Sequence, residues 1–188
     1  MILSETGERP VATPSAGRFA AHLRLAEGFG DEAAEADAAS AYLESAVAAI
    51  ERCIGCPLVA RRFSLSLSRL DRDGGLRLPL GPVAAIETAA VEGPSGTRAL
   101  DPGIWAVEAE THRPRVSRAG GPLAALAPGE RLRLVFEAGL APDWDRVPAD
   151  LAEAVLLLAA EFHERRDAEA VWPAAVAALV APWTPVRL

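Results

Sequence analysis

Two cysteines stand in the order Cys53-Ile54-Gly55-Cys56-Pro57. Thiols two residues apart can act as a dithiol redox couple or supply half of a zinc site. Zinc needs four ligands, and the three histidines, His22, His112 and His163, are scattered with no second close pair. A redox cysteine needs its thiolate, which a helix N-terminus favours. This pair instead falls where a helix over 31–55 is expected to end, beside the negative end of the helix dipole. The position favours structural cysteines; a thiol-redox enzyme using Cys53 and Cys56 is the alternative reading.

The other reactive side chains form no recognisable machinery. His163 lies among Glu161, Glu164 and Arg165, but the spacing is not H-E-x-x-H, so it reads as a solvated or interface histidine. Gly28-Phe29-Gly30 follows no strand and lacks the third glycine of a dinucleotide loop. There is no G-x-S-x-G and no P-loop, and the many carboxylates are not paired by spacing. No catalytic, metal-ligating or cofactor-binding residue is assigned, and no cofactor is expected. Trp183 is different in kind. A tryptophan in an extended, proline-flanked terminus either folds back on its own core or anchors in another protein. Residues 183–188 alternate Val186 and Leu188 around Arg187, a pattern that could add a strand to a partner's sheet edge. Trp183, Pro185, Val186, Arg187 and Leu188 are the candidate partner-binding residues.

The element that must position all of this is the stretch 148–167. Pro148 suits a first helical turn, Asp150 and Glu153 complement the positive end of the dipole, and Arg165 and Arg166 the negative end. Leu151, Val155, Leu158 and Phe162 recur at four, three and four residues, widened by Ala154, Leu157 and Ala159. This spacing predicts a core helix.

Composition sets bounds. The chain has 188 residues, 51% of them hydrophobic, enough to bury a core without disulfides or a structural metal. No apolar run is long enough to span a bilayer, and the N-terminus lacks a basic start followed by an apolar block, so synthesis in the cytoplasm is expected. The net charge is −7, all 19 basic residues are arginines, and aromatics are 5%. Tight nucleic-acid binding is disfavoured by that balance. DNA passing an acidic wall without sticking is compatible with it.

In chain order, residues 1–14 read as a flexible lead-in. A short helix over 15–25 carries Phe19, His22 and Leu23. Asp31, Glu32 and Glu35 favour the start of a second helix, and its stripe Ala39, Leu43, Ala46 or Val47, Ile50 and Ile54 runs to Gly55, a fitting C-cap. From Arg61 the period becomes two, with Phe63, Leu65 and Leu67 alternating with serines. The turn Asp71–Gly75 then predicts a hairpin returning through Leu76–Leu78. Further strands are expected at 83–91, 104–108, 115–118 and 131–137, and a last short helix over 173–181. The expectation is an α+β chain: a helical bundle beside a small antiparallel sheet, with one domain over 15–182 and an extended tail over 183–188.

One ordered set of segments carries a resemblance. Leu134-Val135-Phe136-Glu137-Ala138-Gly139 precedes Val147-Pro148, and Leu151, Ala154-Val155-Leu156-Leu157-Leu158-Ala159, Phe162, Glu164 and Arg166 follow. With His22-Leu23-Arg24-Leu25 before Asp31-Glu32, Gly55 before Pro57-Leu58, and Leu179 before Pro182-Trp183, the chain from 18 to 183 resembles the head–tail connector (adaptor, or head-completion) proteins of long-tailed phages and bacterial gene transfer agents. Cys56 stands where that pattern commonly has a polar or basic residue, further marking the cysteines as incidental. The resemblance implies a virion structural protein without catalysis. It implies a ring, typically dodecameric, between the portal protein and a tail-side connector or stopper, continuing the channel through which double-stranded DNA leaves. Within that resemblance, the arginine-rich, lysine-free composition fits a gene transfer agent of a GC-rich bacterium, and composition does not separate it from a phage or prophage. Arginine–carboxylate pairing between neighbouring subunits is the expected interface chemistry.

Overall fold

The computed structural model describes residues 1–8, 10–23, 33–70, 75–108, 110–118, 126–165 and 172–185. The chain divides into two compact units, Met1–Pro10 with Val59–Leu140 and Val11–Leu58 with Ala141–Leu188, where one domain over 15–182 was expected. The class is α+β.

The first unit holds the strands. β1 (Ile2–Glu5), β2 (Arg61–Leu67), β3 (Leu76–Arg77), β4 (Val83–Gly93), β5 (Gly96–Leu100), β6 (Trp105–Val107), β7 (Arg115–Arg118) and β8 (Arg131–Ala138) form two antiparallel sheets. The larger has the order β1-β2-β8-β4-β5 and the smaller β3-β7-β6. The alternation in β2 works as its spacing demands: Phe63, Leu65 and Leu67 lie opposite Phe136, Leu134 and Leu132 of β8, all buried on one face. The Phe63 and Phe136 rings stack with centroids 6.2 Å apart. In β4 the buried residues Val83, Ile86, Ala89 and Val91 break strict alternation, and register shifts on either side of Ile86 supply the extra residues that bring them to one face.

Three expectations need correction here. Ile2–Glu5, placed in the flexible lead-in, is an edge strand paired along its length with β2. Backbone hydrogen bonds to an open edge, which the local composition does not signal, order it. The segment after β2 does not return as its hairpin partner: β2 is flanked by β1 and β8, and β3 pairs instead with β7, Leu76 opposite Val116. Residues 71–74 of the expected turn lie outside the described residues. The strands form two sheets rather than one, and β5, joined to β4 by a tight turn, has no apolar alternation that would have marked it.

The second unit holds four helices among the described residues: α1 (Ala16–His22), α2 (Ala33–Ile54), α3 (Ala149–Glu164) and α4 (Ala174–Val180). Ser15 caps α1, its hydroxyl accepting from the Arg18 N–H at 3.2 Å. Arg24, Leu25, Asp31 and Glu32 lie outside the described residues. The α2 stripe Ala39, Leu43, Ala46, Val47, Ile50 and Ile54 is buried. Gly55, at φ +72°, then stops the helix in the left-handed region, its N–H donating to the Glu51 carbonyl at 2.8 Å. The Glu51 carboxylate accepts from the Leu58 N–H at 2.8 Å, fixing the exit past Pro57. α3 packs against both α2 and α4.

Candidate functional site

α3 is about 24 Å long at 1.5 Å per residue and buries Leu151, Val155 and Leu158, with Ala152, Ala154, Leu156 and Ala159 beside them. Pro148 sits just before the first turn as the N-cap residue and offers no side-chain cap. Phe162, expected as the fourth core residue, is only half buried. Its ring lines a hollow of about 500 Å³ with Tyr42, Ser45 and Arg165, so the apolar stripe leaves the core where the helix ends. His163 stands edge-on to Phe19 (centroids 6.4 Å, 85°) and to Tyr42 (5.7 Å, 86°), which makes it a packing residue of the helical unit. The sequence had offered it only as solvated or at an interface. Arg165 pairs with Glu161 one turn back at 2.7 Å. Arg166 lies outside the described residues.

The start of α3 holds the C-terminal segment. Val176 and Val180 of α4 are buried, and the chain continues into a 3-10 turn over Ala181–Trp183. The Trp183 indole N–H donates to Asp150 Oδ2 at 2.6 Å, while Asp150 Oδ1 accepts from the Leu151 N–H at 2.9 Å. Thr184 closes the turn twice: its N–H donates to the Ala181 carbonyl and its hydroxyl to the Val180 carbonyl, both at 3.2 Å. Trp183 therefore belongs to a turn on its own unit and not to an extended tail. Within this chain its indole meets Asp150 of α3. Pro185 is exposed; Val186, Arg187 and Leu188 lie outside the described residues. Sequence reasoning gave Asp150 only a dipole role, because nothing local links it to a residue 33 positions away.

The cysteine pair is not set up for thiol chemistry. No disulfide joins the two residues; Cys53 is exposed on the last turn of α2 and Cys56 is buried. Burial, reinforced by the Glu51 carboxylate, pushes the Cys56 thiol from 9.0 up to about 11, away from the thiolate a redox couple needs. Among the described residues no cluster of three or more His, Cys, Asp or Glu could hold a metal ion. No helix among them is long and apolar enough to cross a membrane.

Several arginines of the strand-bearing unit are paired with carboxylates of the same chain. Arg62 pairs with Glu87 at 2.9 Å, Arg133 with Glu92 at 3.1 Å, and Arg61 with Glu5 at 3.2 Å while its guanidinium lies over the Phe63 ring. Arg133 also donates to the buried Ser64 hydroxyl at 3.1 Å.

No protein-family model and no curated protein matches the chain. Solved structures do. A chain in the neck of an empty gene transfer agent particle, computed with C6 symmetry, is 34% identical with a TM-score of 0.88, the match covering 100% of this chain and 97% of that one. A chain in the virion of a native gene transfer agent particle is 35% identical, with a TM-score of 0.85 and the same coverage. One in a native neck computed with C12 symmetry is 32% identical, with a TM-score of 0.82 and again the same coverage.

Proposed function

The chain belongs to the head–tail connector family represented in the necks of gene transfer agent particles, and we propose that it is the adaptor subunit of such a particle, a structural component without catalytic activity. The observation that carries this is the match over the whole chain to neck components at 32–35% identity. The C6 and C12 symmetries of the related necks support a cyclic assembly. In the proposed particle twelve copies form a ring between the portal and a tail-side connector or stopper, and the ring continues the DNA exit channel.

The charge of the chain suits that task. Many copies at −7 each give a wall that repels phosphate. Arginines already matched to carboxylates on the sheet leave less positive charge to hold passing DNA. The protein is made in the bacterial cytoplasm and joins the head–tail interface there. The tail formed by Pro185, Val186, Arg187 and Leu188, rooted at Trp183, docks on the portal by strand addition.

Light scattering of the purified protein, alone and mixed with the portal of its own particle, tests the proposal. A ring, or a monomer that becomes a ring on the portal, is expected. A monomer indifferent to the portal overturns the reading.

A further inference from the structure

We propose that the open edge of β1 and the basic hollow at its start form one docking surface, and that its occupant is an extended acidic segment of a partner protein. β1 is the outer strand of the five-stranded sheet, with β2 on one side and no strand on the other among the described residues. The Thr6 N–H donates to the Arg62 carbonyl at 2.9 Å, and this fixes the phase of the pairing. Ile2 and Ser4 therefore bond to β2, while Leu3 and Glu5 turn their main-chain N–H and C=O groups to the open side. Neither a bulge nor a proline interrupts this edge, two of the devices that stop edges from pairing. Ile2, 59% exposed, adds an apolar side chain to it.

Met1 joins the edge to the hollow. It precedes β1 and also lines a hollow of about 300 Å³ with Leu67, Ser68, Arg69, Leu76 and Arg77. Leu67 and Leu76 belong to the core of the strand-bearing unit, so the hollow opens on the core-facing side of the sheet, the side to which Leu3 also points. Arg69 and Arg77 are exposed above that apolar wall, and Arg77 keeps only a long 3.9 Å contact with Glu110. Two guanidiniums over an apolar wall suit a carboxylate on a methylene stem, glutamate before aspartate. An added strand supplies it by alternation: one side chain enters the hollow beside Met1, and its neighbours lie on the other face beside Ile2. The chain's own second open edge does not have this chemistry. β5, Gly96-Thr97-Arg98-Ala99-Leu100, carries an arginine and no carboxylate, so a second copy does not offer the segment from its sheet edge.

A fluorescein-labelled peptide, Thr-Val-Thr-Val-Glu-Val-Thr, tests the surface by anisotropy with the full chain, without the portal. Replacing its Glu with Gln should weaken binding about fivefold. R69A and R77A should each weaken the Glu peptide about threefold and leave the Gln peptide unchanged. R98A, on the opposite edge, should leave both unchanged. Peptides N-methylated at the Val positions or at the Thr and Glu positions should split, one binding like the parent and the other about tenfold more weakly. A strand turns alternate amides to each side, and only one set meets β1. Amide exchange at Leu3 and Glu5 should slow on binding, while that of Ser4, already bonded to β2, should change less.

A peptide that does not bind, or whose Gln form binds equally well, overturns the proposal. So do two N-methylated peptides that both match the parent, because the contact is then not strand addition. A chain that forms dimers abolished by R69A and competed by the peptide makes a second copy the occupant and overturns the partner assigned here. None of these results bears on whether the chain forms a ring with the portal, so the adaptor reading stands or falls separately.

Discussion

Cys53 and Cys56 stand one helical turn apart on either side of Gly55 yet in opposite environments: Cys53 is exposed on α2, and Cys56, 1% exposed, is packed into the helical unit. The left-handed backbone at Gly55 ends the helix between them. A spacing shared with dithiol enzymes therefore separates the thiols here.

Alkylation should report that difference. Cys53, exposed, is open to the reagent, and Cys56, buried, reacts only through opening of the fold. The Cys56 thiol is raised from 9.0 to about 11, so the neutral thiol is the form the fold prefers. Its contribution to stability is complete below pH 9 and is lost as pH rises through about 11. Urea unfolding of wild type and C56A between pH 8 and pH 11 checks the sign: wild type should lose more stability over that window. Equal slopes would show that Cys56 titrates as it does in the unfolded chain.

The α3 stripe should be graded in its sensitivity. Leu158 is 1% exposed, and L158D buries an unpaired charge, a mechanism that costs more than about 4 kcal/mol and should abolish cooperative unfolding of the helical unit. Phe162 lies at the rim of the hollow with Tyr42 and Arg165, so F162A should cost about 1–2 kcal/mol, below the range of fully buried aromatics. Denaturant unfolding followed by circular dichroism ranks the two, and equal costs would place Phe162 in the core after all.

Loss of the Asp150–Trp183 bond should be felt locally. A hydrogen bond to a charged group contributes about 1.5–3 kcal/mol. D150A should therefore speed amide exchange at Thr184, whose N–H closes the terminal turn, by about tenfold or more. Exchange in the middle of α3 should not change. Mass-resolved hydrogen exchange on peptides from the two regions distinguishes local fraying from global loss.

Ring assembly should depend on ionic strength if neighbouring subunits meet through arginine–carboxylate pairs. Sedimentation at low and high salt measures the ring population, and a population that does not respond argues against charge pairing at the interface. Intrachain pairs behave differently. Arg62 and Glu87 form an exposed pair, so R62A should change monomer stability by less than about 1 kcal/mol.

Much was legible in the sequence because it depends on neighbours in the chain. The α2 and α3 stripes, the serine alternation of β2 and the Gly55 stop are local patterns, and local backbone geometry gives each one meaning: 3.6 residues per turn, two per strand repeat, and a φ that glycine alone adopts freely. The family resemblance rested on the order of such patterns, and the match to gene transfer agent necks agrees with it. Only tertiary structure could decide what long-range pairing fixes. β1 is a strand because β2 offers it an edge about 60 residues away, β3 joins β7 because both sides of β2 are already taken, and Phe162 leaves the core because the helix ends there. Trp183 meets Asp150 across 33 positions of sequence. Periodicity carries no information about such meetings, because hydrogen bonds and packing between distant segments are set by where the whole backbone goes.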